Sequence, residues 1–128
     1  MTTDVKEIRQ KQVGILKERL DVLKVTSDIY EKFEVTGTIE AIQGKKKVDG
    51  MYFSTVVPKP KDCRFYFFPV YTHKEELGTL SEDLQKALKG KSCFHIKKMD
   101  DDFEKNMREL VKKSIELYQK DGLLKGSR

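Results

Sequence analysis

The sequence predicts an α+β domain: a mostly antiparallel sheet of about five strands, with N-terminal and C-terminal helices packed on one face. Both ends of the chain place apolar residues at three- and four-residue steps, the repeat of one helix face. The middle alternates apolar and polar residues with the two-residue repeat of a strand, and glycine and proline punctuate the alternating runs where hairpin connections need them. A chain of 128 residues has the size of one domain, so a single unit over residues 1–128 is expected.

Asp4 is placed to cap a helix from about Val5 to Leu20, whose apolar positions are Val5, Ile8, Ile15, Leu16 and Leu20. Two strands follow, one over Val22–Thr26 and one in which Phe33, Val35, Gly37, Ile39 and Ala41 alternate with polar residues. Gln43–Gly50, with two glycines and three consecutive lysines, predicts a mobile loop or long hairpin tip. Met51–Val57 and Cys63–Tyr71 then form the arms of a central hairpin around the prolines Pro58 and Pro60. Thr72 with Glu75 suggests a capping box, and Ser81 a second start, giving two short helical pieces that end at Gly90 before the last strand. That strand, Ser92–Lys98, puts Phe94 and Ile96 on one face and Cys93, His95 and Lys97 on the other. Asp100 or Asp101 caps the final helix, with Phe103, Met107, Leu110, Val111, Ser114, Leu117 and Tyr118 as its buried stripe, Gly122 as its stop and Leu123–Arg128 as a frayed tail.

The second hairpin arm is apolar in both directions. Phe65, Phe67 and Tyr71 are expected on one face, and Tyr66, Phe68 and Val70 on the other. Two terminal helices cover one face only, which leaves the other for the middle helical segment, a ligand pocket or a second copy of the chain.

The two cysteines, Cys63 and Cys93, are isolated, and the start of the chain lacks the pattern of a secretory leader; the expectation is free thiols and a cytoplasmic setting. No apolar run approaches the roughly 18 residues of a membrane span, so no membrane role is expected. A net charge of +5 permits anionic partners without requiring them.

Three blocks stand out: Gly50-Met-Tyr-Phe-Ser54, Phe65-Tyr-Phe-Phe-Pro-Val-Tyr71 and Leu88-Lys-Gly-Lys-Ser-Cys-Phe-His-Ile-Lys97. In order and spacing they resemble the YdhG-like family of small bacterial domains of unknown function, from about Val22 through the last helix. Gly90-Lys-Ser-Cys-Phe-His95 is the most specific piece. The resemblance implies an α+β fold in a cytosolic setting and no established activity. Its members have been compared with frataxin-like iron chaperones, a role that depends on an acidic surface; here Lys6, Arg9, Lys11, Lys17 and Arg19 accompany Glu7 and Glu18 in the first helix.

The candidate ligand-binding residues are Tyr52, Tyr66, Phe68, Tyr71, Lys91, Cys93 and His95, with Met51 and Phe53 expected beside them. The leading expectation is a non-catalytic binding module for a small molecule or anion, or a self-association face. A thiol-dependent enzyme built on Cys93 and His95 is the alternative, since residues two apart on a strand share a face and Lys91 and Lys97 favour a thiolate; no third residue is placed to orient the base. Lys45, Lys46 and Lys47, with Lys59, Lys61 and Arg64, suggest a basic patch for nucleic acid, the weaker alternative because no nucleic-acid motif accompanies it. His73, His95, Cys63 and Cys93 lack the paired spacing of a zinc site, and Asp100–Asp102 suit a helix start better than a cation. Gly90-Lys91-Ser92 lacks the first glycine of a phosphate loop and leads into a strand, so no cofactor is expected.

Overall fold

Asp4 opens the first helix by accepting the Lys6 amide at 3.0 Å, which satisfies one of the donors that a helix start leaves free. A computed structural model describes residues 1–126 of the chain. Helix α1 (Val5–Lys17) buries Ile8, Ile15 and Leu16 and stops before Leu20, which is exposed in the turn that brings Leu23 into the sheet. Eight strands follow: β1 (Leu23–Ile29), β2 (Lys32–Gly37), β3 (Ala41–Gln43), β4 (Lys46–Val48), β5 (Tyr52–Pro58), β6 (Cys63–Phe67), β7 (Leu88–Lys89) and β8 (Cys93–Ile96). Between β6 and β7 lie α2 (Pro69–Thr72), α3 (Lys74–Leu77) and α4 (Glu82–Ala87), and α5 (Asp101–Lys120) follows β8.

The fold is α+β. Six strands form one sheet in the order β1-β2-β5-β6-β8-β7, every pairing antiparallel, while β3 and β4 form a separate hairpin where the sequence suggested a loop or long hairpin tip. On one face of the sheet Phe33, Val35, Val56, Cys63, Phe65, Phe67, Phe94 and Ile96 are fully buried. Helices gather on that side: α1 packs on β5, β6 and α5, and α3 and α4 pack on α5. Asp100 starts α5 by accepting the Phe103 amide at 2.8 Å, so the capping role expected of it is realised. At the far end Gly122 takes φ 75°, and the Leu123 amide reaches the Tyr118 carbonyl at 2.8 Å, closing the helix in a Schellman motif.

Four expectations are corrected. The second hairpin arm ends at Phe67, because Pro69 starts a helix at the position where its missing N–H is harmless; Val70 and Tyr71 are therefore helical, Val70 buried and Tyr71 exposed. Thr72 closes α2 and makes no capping box with Glu75. The strand read over Phe33–Ala41 is broken after Gly37, where the chain crosses Gly50 so closely that a Cβ on Gly50 would lie 2.0 Å from the Gly37 carbonyl oxygen. The tail is not frayed at Leu124, which is fully buried and packs beside Gly37; Ser127 and Arg128 lie outside the described residues.

Candidate functional site

Strand pairing decides which side chains share the sheet face opposite the helices. Glu34, Thr55, Tyr66 and Cys93 are successive cross-strand partners, so all four project to this open face. Arg64 and His95 form the next pair along β6 and β8. Parity alone would add Phe53 and Met51, but β5 carries an extra residue where the register passes from Val35–Ser54 to Thr36–Tyr52. This bulge turns Phe53 into the core, with ring centroids 5.1 Å from Phe67 and 5.7 Å from Tyr118, and it delivers Tyr52 to the open face instead. Met51 is buried as well, so neither Met51 nor Phe53 belongs to the candidate site.

The structure brings the other predicted residues together in two groups. Tyr52, Phe68 and Tyr71 form a stepped aromatic row, with centroids 5.5 Å apart in the first pair and 5.9 Å in the second, where the rings stack. The row climbs out of the surface: Tyr52 and Phe68 are half-buried and Tyr71 is 52% exposed, with the Lys91 ammonium 5.5 Å from its ring centre. Tyr66, Cys93 and His95 lie half-buried on the central strands beside it.

Polar contacts fix this face. The Tyr52 hydroxyl bonds the Thr55 hydroxyl, which in turn donates to Glu34 at 3.2 Å, while Thr26 donates to the other oxygen of Glu34 at 3.0 Å. Burial pushes the Tyr52 hydroxyl up to about 12, so it remains a neutral donor. Asp62, in the β5–β6 turn, is nearly buried; it accepts from Arg64 at 3.3 Å and lies 3.9 Å from Nδ1 of His95. Sequence patterning signals neither Asp62 nor Glu34, whose roles depend on cross-strand register.

Cys93 does not have the environment of a nucleophile. Desolvation by burial raises its thiol pKa, outweighing the opposing hydrogen bond from Tyr66 and the Arg64 charge. Cys63, under α1, is pushed up to about 12 by burial, and both thiols are free. The basic patch separates: Lys45, Lys46 and Lys47 lie in the β3–β4 hairpin before β5, and Lys59, Lys61 and Arg64 at its far end, roughly 20 Å away along seven strand residues.

His73 stands apart from the face. Its Nε2–H donates to Asp121 at 2.6 Å, and Nδ1 meets the Thr72 hydroxyl at 2.8 Å, which also bonds the Tyr118 hydroxyl at 2.9 Å. This chain ties the α2–α3 junction to the end of α5. A cavity of about 810 Å³ lies at the β7–β8 edge, between α4 and the start of α5; of the predicted site residues it includes His95 alone. Among the described residues no group of three or more His, Cys, Asp or Glu is arranged to hold a metal, and no helix is long and apolar enough to cross a membrane.

Comparison with known protein families, curated proteins and solved structures finds no match to this chain.

Proposed function

We propose that this chain is a non-catalytic binding module whose open sheet face takes a small planar molecule carrying negative charge. The observation that carries the reading is the Tyr52–Phe68–Tyr71 row, rising beside Tyr66 to an exposed ring with an ammonium above it. Aromatic faces favour stacked planar partners, and Lys91 supplies the charge that selects an anion. A second copy suits the face less well. Lys24 lies opposite Thr36, Lys89 opposite Cys93, and Lys91 above Tyr71, so two such faces would meet with like charges, which is costly at an interface.

The same proposal places the chain with the YdhG-like family and in the cytoplasm. What supports this is that the block carrying the resemblance, Gly90–His95, forms the turn into β8 and its outward residues, and that both cysteines are unpaired.

Anilinonaphthalene sulfonate, which joins a planar naphthalene ring to an anionic sulfonate, tests the binding reading. Saturable fluorescence enhancement is expected with the folded protein, and Tyr71→Ala and Lys91→Gln should each weaken it several-fold, as loss of a stacking ring or an ion pair does. Sedimentation at the same concentrations should report the monomer mass. A stable dimer, or dye affinity unchanged in both variants, overturns the proposal.

A further inference from the structure

The aromatic row of the open face has a cation at each end. Lys24, Thr36 and Tyr52 are successive cross-strand partners on β1, β2 and β5, so Lys24 lies two strand spacings, about 10 Å, from Tyr52 on the same face. Beyond Tyr52 come Phe68 and Tyr71, at centroid spacings of 5.5 and 5.9 Å, and then the Lys91 ammonium 5.5 Å from the Tyr71 ring. The line from Lys24 to Lys91 thus crosses the sheet from β1 to the turn before β8.

This face stays positive after its own carboxylates are counted. Lys32 lies 3.7 Å from Glu34, and Arg64 donates to Asp62 at 3.3 Å. No other carboxylate stands at an outward position of the six strands; Asp28 is paired with Phe33, on the helix side. Lys24, Lys91 and Lys89, the last a cross-strand partner of Cys93, have no ion-pair partner among the described residues.

A small molecule gains most where a concave site covers it on several sides. The row instead rises from an uncovered sheet, and the cavity of about 810 Å³ is lined by none of Tyr52, Tyr66, Phe68, Tyr71 and Lys91. Rings in series with cations at both ends suit a ligand that repeats a planar part and an anionic part along its length. Single-stranded nucleic acid is built this way: each base offers a face to stack on a ring, each phosphate carries a charge, and an open sheet leaves room for splayed bases. In a duplex the base faces cover one another, and a broad sheet face fits neither groove.

From this we infer that the open face binds a single strand of nucleic acid, laid across the sheet from Lys24 to Lys91 with its bases against Tyr52, Phe68 and Tyr71. The inference rests on the reading of this face as a site for planar anions and adds that they come linked in a chain; a free planar anion such as the dye occupies one step of it. Stacking uses the faces of bases and not their edges, so the site tolerates different sequences.

Fluorescence anisotropy of end-labelled oligouridylate and oligodeoxythymidylate, each of roughly ten nucleotides, tests it. Saturable binding is expected, the tighter of the two naming the sugar, and log affinity should fall against log salt with a slope of about −2 for phosphates on Lys24, Lys89 and Lys91. Lys24→Gln and Lys91→Gln should each flatten that slope by about 0.7, and Tyr71→Ala should weaken binding about tenfold at an unchanged slope. Lys112→Gln removes the same charge from an exposed position of α5, on the helix side, and should change neither. Equal binding of a duplex of the same length, equal affinity for uridine monophosphate, or an effect of Lys112→Gln as large as that of Lys91→Gln overturns the inference. So does an oligonucleotide that fails to bind: if the dye still saturates, the planar-anion reading survives alone, and if the dye fails too, both fall. Should Tyr71→Ala fold poorly, the two lysine variants, both at exposed positions, decide the matter, and an unchanged slope in both has the same meaning.

Discussion

Gln12 lies in α1 with none of its surface exposed, and neither side-chain amide atom has a hydrogen-bond partner among the described residues. Ile8, Ile15 and Leu16 share its helix face and are buried just as completely. An amide held without partners in such surroundings costs roughly 1–3 kcal/mol by the measure of protein mutants. Gln12→Met keeps the unbranched length and the helix propensity while removing both orphaned groups, and a thioether adapts to an irregular gap. The variant should therefore be more stable by about 1–3 kcal/mol, which in a domain of this size raises Tm by about 3–6 °C per kcal/mol. With a urea m-value of about 2 kcal/mol per molar, a gain of about 2 kcal/mol moves the unfolding midpoint up by about 1 M. Urea unfolding followed by circular dichroism measures it. A midpoint that stays put or falls, at unchanged m, would show that the Gln12 amide is hydrogen-bonded in the folded protein and would refute the reasoning.

Ser114, fully buried on α5 and also without a partner among the described residues, leads to a parallel expectation: Ser114→Ala gains about 1 kcal/mol in the same urea assay, and a loss would point to a hidden bond. Gly50→Ala should lose more than about 3 kcal/mol, since its Cβ would sit 2.0 Å from a backbone oxygen that no rotamer change can move; a near-wild-type melting temperature contradicts the crossing at Gly37. Arg108 joins α5 to the end of α1 through two 2.9 Å bonds to Glu18 and donates a 3.3 Å bond to Glu104 within its own helix, and both carboxyls lie below their ordinary values, led by hydrogen bonds to Arg108 and to Lys11 respectively. Because the groups are solvent-exposed, Arg108→Ala should lose only about 0.5–1 kcal/mol, less at high salt, and a salt-independent loss argues against an ionic origin. In alkali, Tyr52, Cys63 and Tyr118 each keep their proton to about 12 in the folded state because burial disfavours the charged form, whereas the unfolded chain releases it near 10.0 for tyrosine and 9.0 for cysteine. The unfolded state then binds fewer protons, so stability is complete below about pH 9 and falls towards pH 12; unfolding free energies that stay level across that window are the contrary result.

Local chemistry made the helix ends legible. Asp4, Asp100 and Gly122 each perform the capping or stopping role that their positions in the sequence predict, because a cap needs only residues within one turn. The alternation of β8 was equally plain, and Phe94 and Ile96 are buried as expected. The run Phe65–Tyr71 was not, because an uninterrupted apolar stretch has no period and suits a buried strand or helix alike; only Pro69 marked the change. Met51 and Phe53 were misplaced for a different reason. A one-residue bulge reverses every side chain beyond it, and nothing in the residues Tyr52-Phe-Ser54 announces where an extra residue will be accommodated.

The bulge also decides which aromatic ring of β5 the open face carries. Without it Tyr52 would point to the helices, where Phe53, Phe67 and Tyr118 already pack edge to face, and Phe53 would lie outside. With it, the purely apolar ring is buried and the ring with a hydroxyl emerges to bond Thr55, which holds Glu34. The carboxylate that would otherwise compete for the cations of the face is thereby occupied, as Asp62 is by Arg64 at the other end of the sheet. On this face Glu34 has Lys32 at 3.7 Å and Asp62 has Arg64 at 3.3 Å, and the ammonium groups of Lys89 and Lys91 are left facing solvent. The positive charge beside the aromatic rings of the open face is thus a consequence of which carboxylates the strand register occupies.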